Sequence, residues 1–291
     1  MSGGPAESAP VAGGATPGTR SKRSRRAVLA LRGVGLALLV EFALTFVLHS
    51  LLFHPRTTEN RSIERVGGTR VRYRTTDGVA LVGWLVRAHG PRRRTVVYFH
   101  GNAATASDYW GWADALATRG ADVLLAEYRG YGESDGDPSA HGVEHDADAA
   151  IRYLLEVRRV SPRRLVVHGQ SLGGAAAIVA LSGSAREAAG GIVESTFTSL
   201  HAMSRAVLGV ALTRLVYDGY ALDSAARAPA IRARLLHVHG DRDEVVPFAN
   251  GEALQARLPN ARFLRVRGGT HNVADPAARA AMLDFVDEVV P

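Results

Sequence analysis

The chain contains no cysteine, so it can build no disulfide framework, no thiolate zinc site and no cysteine nucleophile. Lysine is almost missing as well: Lys22 stands alone and every other basic residue of the Lys/Arg pair is arginine. We read that as genomic base composition without mechanistic content. Aromatic residues make up only 7% of the chain, but hydrophobic residues reach 46%, which supplies a packed core and excludes disorder throughout. The net charge of +7 suggests a nucleic-acid partner until it is located. Residues 1–32 carry Arg20, Lys22, Arg23, Arg25, Arg26 and Arg32 against Glu7, which accounts for +5 of it. The remainder is nearly neutral, so a basic groove for phosphates is not supported and no nucleic-acid partner is expected.

Residues 1–26 read as a disordered basic tail, poor in groups that could be buried. Residues 27–54 read as a transmembrane anchor. Gly33 to Phe53 is 21 residues, enough to cross about 30 Å of hydrocarbon as a helix. Glu41 opposes insertion by about 2.5–3.5 kcal/mol, and about thirteen Leu, Val and Phe residues at roughly −0.3 to −0.6 kcal/mol each outweigh it. The cationic cluster before the span predicts the tail in the cytoplasm and the following domain on the extracytoplasmic side. "SRRAVLAL" also resembles a twin-arginine export signal, but no small-x-small cleavage site follows, which favours a retained anchor. Phe53 to Ser62 would link the anchor to a domain spanning residues 63–291.

From Ile63 onward strand and helix signals alternate. Val71 to Arg74 and Val79 to Val86 flank Asp77-Gly78, a hairpin signal. Further strands are expected at Thr95–Phe99, Asp122–Glu127, Arg164–His168, Gly191–Glu194, Leu235–His239 and Arg262–Val266. Helices are expected at Ser107–Thr118, Glu144–Val157, Phe248–Arg257 and Pro276–Val289. A hairpin followed by repeated strand-helix units implies an α/β fold: a mostly parallel sheet of about eight strands with helices on both faces. Its working residues should gather at the carboxyl ends of the strands.

One of those ends reads Gly169-Gln170-Ser171-Leu172-Gly173, a G-x-S-x-G pattern between a β run and an alanine-rich helix. The glycines of such an elbow, Gly169 and Gly173, are steric requirements, because strand and helix approach too closely there for side chains. Glycines placed only for close packing would look the same, so Ser171 needs partners. A serine hydroxyl is a weak nucleophile; it needs a base, and the base an orienting acid. "LLHVHGDRDEVVP" supplies Asp243 and "RFLRVRGGTHN" supplies His271, each just beyond a later strand and in the required chain order. Asp241 reads as a turn residue that binds local amides, and Glu194 is the alternative acid. His237 and His239 alternate like one strand face but lack a third ligand at metal spacing, so no metal and no cofactor is expected. An oxyanion needs two N–H donors, assigned to Leu172 and, in "HGNAATASDY", to Asn102, with Ala103 as the neighbour it could be confused with.

Together "YFHGNA", "EYRGYGES", "GQSLGG", "HGDRDEVVP" and "GGTHN" resemble the α/β-hydrolase superfamily of serine hydrolases over roughly Arg70 to Val290. The chain looks like the membrane-anchored branch with monoacylglycerol and lysophospholipid lipases, acyl-protein thioesterases and bacterial hydrolases. The resemblance implies Ser171, Asp243 and His271 as the triad and a small-molecule acyl ester or lipid as substrate. Glu127 stands where relatives more often carry Asp and should support the oxyanion loop. Ser195 to Ile231, where such enzymes insert lids, is short, and Tyr217, Tyr220 and Leu222 could line a groove or pack in the core. A peptidase or amidase of the same fold, and a non-catalytic binding protein, are the competing functions.

Overall fold

The computed structural model describes Gly4, residues 20–203 and residues 222–290. Tyr217, Tyr220 and most of the expected tail therefore lie outside the described residues. The chain divides into two compact units, Met1–Thr45 and Phe46–Pro291. Helix α1 (Arg20–Leu52) begins inside the segment expected to be tail. Arg20 to Arg26 contain neither glycine nor proline, and arginine is a good helix former. No helix among the described residues is long and apolar enough to cross a membrane. The side chains of residues 20–24, Glu41 and residues 44–52 in this helix are not described.

In the second unit, β1 (Thr69–Arg74) and β2 (Ala80–Val86) form the expected hairpin, with Arg74 opposite Ala80 and Gly78 at φ +90°. Then follow β3 (Arg94–Phe99), β4 (Ala121–Ala126), β5 (Leu165–Gln170), β6 (Gly190–Glu194), β7 (Arg234–Gly240) and β8 (Ala261–Val266). They make one eight-stranded sheet ordered β1-β2-β4-β3-β5-β6-β7-β8, antiparallel as far as the β2–β4 pair and parallel beyond. Strands β3 to β6 are buried on both faces, so their central residues form apolar runs without alternation, and the polar residues fall near the strand ends. The edge strand β1 instead alternates, with Val71 and Tyr73 inward and Arg70, Arg72 and Arg74 outward. Charged edges of this kind discourage pairing with another chain.

Each sheet face has its own core. On one side α5 (Leu172–Ser182) lies under α4 (Ala140–Arg152) and the short α6 (Ser224–Arg227). Leu172 to Leu181 of α5 are all buried, which is why that helix is alanine-rich and shows no polar face. The other side is covered by α3 (Trp110–Thr118) and α8 (Pro276–Val289), which bury Trp112, Leu116, Met282 and Phe285. The short α2 (Ser62–Arg65) precedes β1, and α7 (Phe248–Gln255) packs beside β7. Leu222 is buried in the first core rather than lining a groove. Helix α4 starts four residues before its expected onset. The Ser139 hydroxyl caps it by accepting from Gly142 N–H at 3.0 Å, and an apolar face including Val143 and Ala147 continues from there.

Candidate active site

Ser171 sits between β5 and α5 at φ +55°, ψ −118°, a region costly for any residue with a side chain. Neighbouring atoms force this sharp turn. A Cβ on Gly169 would stand 1.9 Å from the Gly173 carbonyl oxygen, and one on Gly173 would stand 2.0 Å from the Phe99 oxygen. Strand, turn and helix can close up only where both residues are glycine. Ser171 N–H donates to Glu194 O (2.8 Å), and Thr196 Oγ1 donates to Ser171 O (2.7 Å), so the strained residue is clamped from β6 and the turn after it.

The structure brings Ser171, His271 and Asp243 together. His271 Nε2 lies 3.0 Å from Ser171 Oγ, across a separation of 100 residues. His271 Nδ1 lies 2.9 and 3.0 Å from the two carboxylate oxygens of Asp243. Asp243 is fixed in turn by N–H donors from Val245 (2.9 Å) and Val246 (2.8 Å), both to Oδ1. Burial works to raise the Asp243 pKa. The hydrogen bonds from His239 and His271, the charge of His271 and the Val246 N–H win, and the carboxyl is held below the usual carboxylate range. Asp243 is thus an anion with its imidazole partner oriented, and since a carboxylate can only accept, the bond between them needs the N–H on His271 Nδ1.

The competing acids have other work. Asp241 accepts from Gly268 N–H (2.7 Å) and Arg265 (3.1 Å), the local turn role expected of it. The Glu194 carboxylate faces His168 at 3.5 Å. Those two line a cavity of about 430 Å³ with Tyr98, Tyr109, Trp112 and Arg279. It is bordered by Gln170 and Asn272, which bond each other at 3.1 Å.

His239 is fully buried beneath Asp243. Its Nε2 lies 3.0 Å from Val246 O and 3.4 Å from Asp243 Oδ2, bracing the carboxylate from below. The signal in the sequence is only the spacing of His239 and Asp243 around Gly240. His237, on the same strand, bonds Gln255 at 3.0 Å, and burial pushes its pKa down to about 4, so it is neutral near pH 7. Among the described residues no group of three His, Asp or Glu side chains is placed to hold a metal ion.

The loop after β3 meets the elbow directly. A Cβ on Gly101 would lie 3.5 Å from Ser171 Cβ, and Ala103 follows in the left-handed region at φ +59°. Leu172 opens α5, so its N–H is one of the first-turn donors without an intrahelical acceptor. The Asn102 side chain points elsewhere. Its Oδ1 accepts from His54 N–H (2.9 Å) and Tyr131 Oη–H (2.8 Å). Glu127 supports the loop as expected: it accepts from Ala106 N–H (2.9 Å) and pairs with His100 Nε2, with both side chains fully buried. Burial alone would depress the His100 pKa, but the charge and hydrogen bond of Glu127 raise it. Tyr128 Oη–H closes the bracket on His100 O at 2.8 Å.

Known proteins resemble this chain. Residues 90–219 match the family model described as serine aminopeptidase, S33. The uncharacterized protein YfhR of Escherichia coli K12 is 30% identical over 233 residues, covering 74% of this chain and 79% of that protein. Alpha/beta hydrolase domain-containing protein 17C of Xenopus tropicalis is 31% identical over 205 residues, covering 69% of this chain and 63% of that protein. The esterase Pf2001 of Pyrococcus furiosus superposes with a TM-score of 0.65 at 20% identity, covering 82% of this chain and 98% of that chain. By sequence identity over most of its length and by its sheet, the chain belongs to the α/β-hydrolase superfamily.

Proposed function

We propose that the chain is a serine hydrolase of carboxylic esters or thioesters, acting on acyl or lipid-like small molecules through an acyl-enzyme. The observation that carries this reading is the unbroken relay from Ser171 Oγ to His271 Nε2 at 3.0 Å and from His271 Nδ1 to Asp243 at 2.9 Å. In the first step His271 Nε2 accepts the Ser171 proton as Oγ bonds to the acyl carbon. Asp243 stabilises the imidazolium that results. The carbonyl oxygen becomes an oxyanion facing the N–H groups of Leu172 and Asn102, each worth about 3 kcal/mol of barrier. Collapse expels the alcohol or thiol, protonated by His271. Water deprotonated by the same imidazole then adds to the acyl carbon, Oγ leaves with the proton, and the acid is released.

Peptide hydrolysis uses the same groups, and the aminopeptidase family model favours it as a second reading. A panel of p-nitrophenyl acyl esters, acyl thioesters and aminoacyl p-nitroanilides separates the two. We expect kcat/KM for the best ester or thioester to exceed that for any anilide by at least about tenfold, a difference of ~1.4 kcal/mol in the barrier from free enzyme and substrate. A preference for anilides would hand the function to the peptidase reading.

The membrane anchor belongs to the same proposal. Val28, Leu29, Leu31, Val34, Leu36, Leu38, Leu39, Val40 and Phe42 of α1 are all exposed, and the helix gathers its apolar residues on no single face. A helix apolar on every side is stable in lipid rather than water. The basic residues that precede it favour an extracytoplasmic hydrolase domain. Alkaline phosphatase fused at the C-terminus should be active and β-galactosidase inactive; the reverse pattern would overturn that orientation.

A further inference from the structure

Between α1 and the sheet, the segment from Phe53 to Asn60 is strapped along the loop that follows β3. Phe53 is buried in the core. Next to it, His54 holds Asn102 twice: its N–H donates to Asn102 Oδ1 at 2.9 Å, and its Nδ1 lies 3.2 Å from Asn102 Nδ2. Tyr131 Oη–H, from the turn after β4, takes the other side of Oδ1 at 2.8 Å. Beyond His54 the strap stays docked. Arg56 O accepts from Gly132 N–H at 2.8 Å, Glu59 accepts from Trp84 Nε1–H at 2.7 Å, and Asn60 N–H donates to Ser107 Oγ at 2.7 Å.

An amide side chain offers two acceptor lone pairs and two donor hydrogens. At Asn102 both lone pairs and one hydrogen are committed to His54 and Tyr131, so the side chain is locked on the side of the strap. Gly101 on one flank packs against Ser171, and Ala103 on the other is held at φ +59°. A residue whose side chain and both neighbours are fixed has a fixed N–H direction. We propose that His54 and Tyr131 are positioning residues that aim the Asn102 N–H at the oxyanion, making the strap leaving α1 a working part of the catalytic centre. This inference rests on the serine-hydrolase reading.

An oxyanion donor moved out of register loses much of the 10²–10³-fold that it contributes, roughly. The full-length protein carrying His54→Ala or Tyr131→Phe should lose about tenfold in kcat on p-nitrophenyl acetate, and the double variant about a hundredfold, with KM within about twofold. Fluorophosphonate labelling should slow in parallel, because its phosphoryl oxygen occupies the same place. His54→Asn, whose amide oxygen falls where Nδ1 stands, should recover most of kcat. Ser171→Ala, assayed beside them, separates the two levels of inference. If Ser171→Ala is inert while the His54 and Tyr131 variants keep kcat within twofold, the strap has no such role and the hydrolase reading survives. Equal loss in His54→Ala and His54→Asn, tracking a fall in Tm, would reduce the contact to a structural one and overturn the proposal. Wild-type turnover by Ser171→Ala would end both.

Discussion

Ser171→Ala should turn over p-nitrophenyl esters about 10⁶-fold more slowly than the wild-type protein, and should take up no fluorophosphonate at this position. The effect is large because the substitution removes the atom that bonds to the acyl carbon. His271 and the amide donors remain, and they can only assist direct attack by water. A residual rate of about 10³-fold above the uncatalysed reaction is expected from those donors and from binding. The fold should be undisturbed, since an alanine Cβ occupies the place of the serine Cβ. The elbow keeps its clamps from Glu194 O and Thr196 Oγ1, both of which bind Ser171 through the backbone. An unchanged Tm beside lost turnover is the combined result to look for.

Asp243→Asn should cost about 10⁴-fold in kcat. Two consequences of the geometry produce this loss. The aspartate receives the His271 Nδ1–H, which leaves Nε2 free to take the serine proton. An asparagine can present an N–H instead, which turns the imidazole to the tautomer with its proton on Nε2, facing Oγ. Asp243 also accepts from the Val245 and Val246 N–H groups and lies 3.4 Å from His239 Nε2. An amide nitrogen placed toward any of these donors would repel it, so the side chain must choose between its orienting role and its own support. Glu194→Gln provides the contrast. Its carboxylate faces His168 at 3.5 Å, so kcat should stay within about threefold of wild type. A large loss at Glu194 together with a small one at Asp243 would exchange the two roles.

The sheet was legible because its strands carry their burial in their composition. Continuous runs such as Thr95–Phe99 and Leu165–His168 could be stable only with both faces covered, and the structure covers both. The three groups of the relay were legible for a related reason. In a parallel sheet all strands of one direction end on one rim, so a serine, an aspartate and a histidine that each follow a strand are delivered to the same place. What could not be read are contacts across long separations that no periodicity records. His54 and Asn102 are 48 residues apart, and nothing in either neighbourhood announces the other. His239 looked like one of several strand histidines because its partner, Asp243, is reached only when the turn folds back over β7. Boundaries moved for local reasons. Helix α4 begins earlier through the Ser139 cap, and α1 reaches back through Arg20–Arg26, which were read as tail.

Convergence of the three groups is tested most directly by locating the covalent adduct. Full-length wild-type and His271→Ala proteins would be treated with a fluorophosphonate, digested and sequenced by mass spectrometry, with the rate of adduct formation followed in time. The expected result is a phosphonyl group on Ser171 in the wild-type protein, formed at least about 10³-fold more slowly once the imidazole is gone. An adduct on a different serine, or labelling of Ser171 at an undiminished rate without His271, would contradict the assignment.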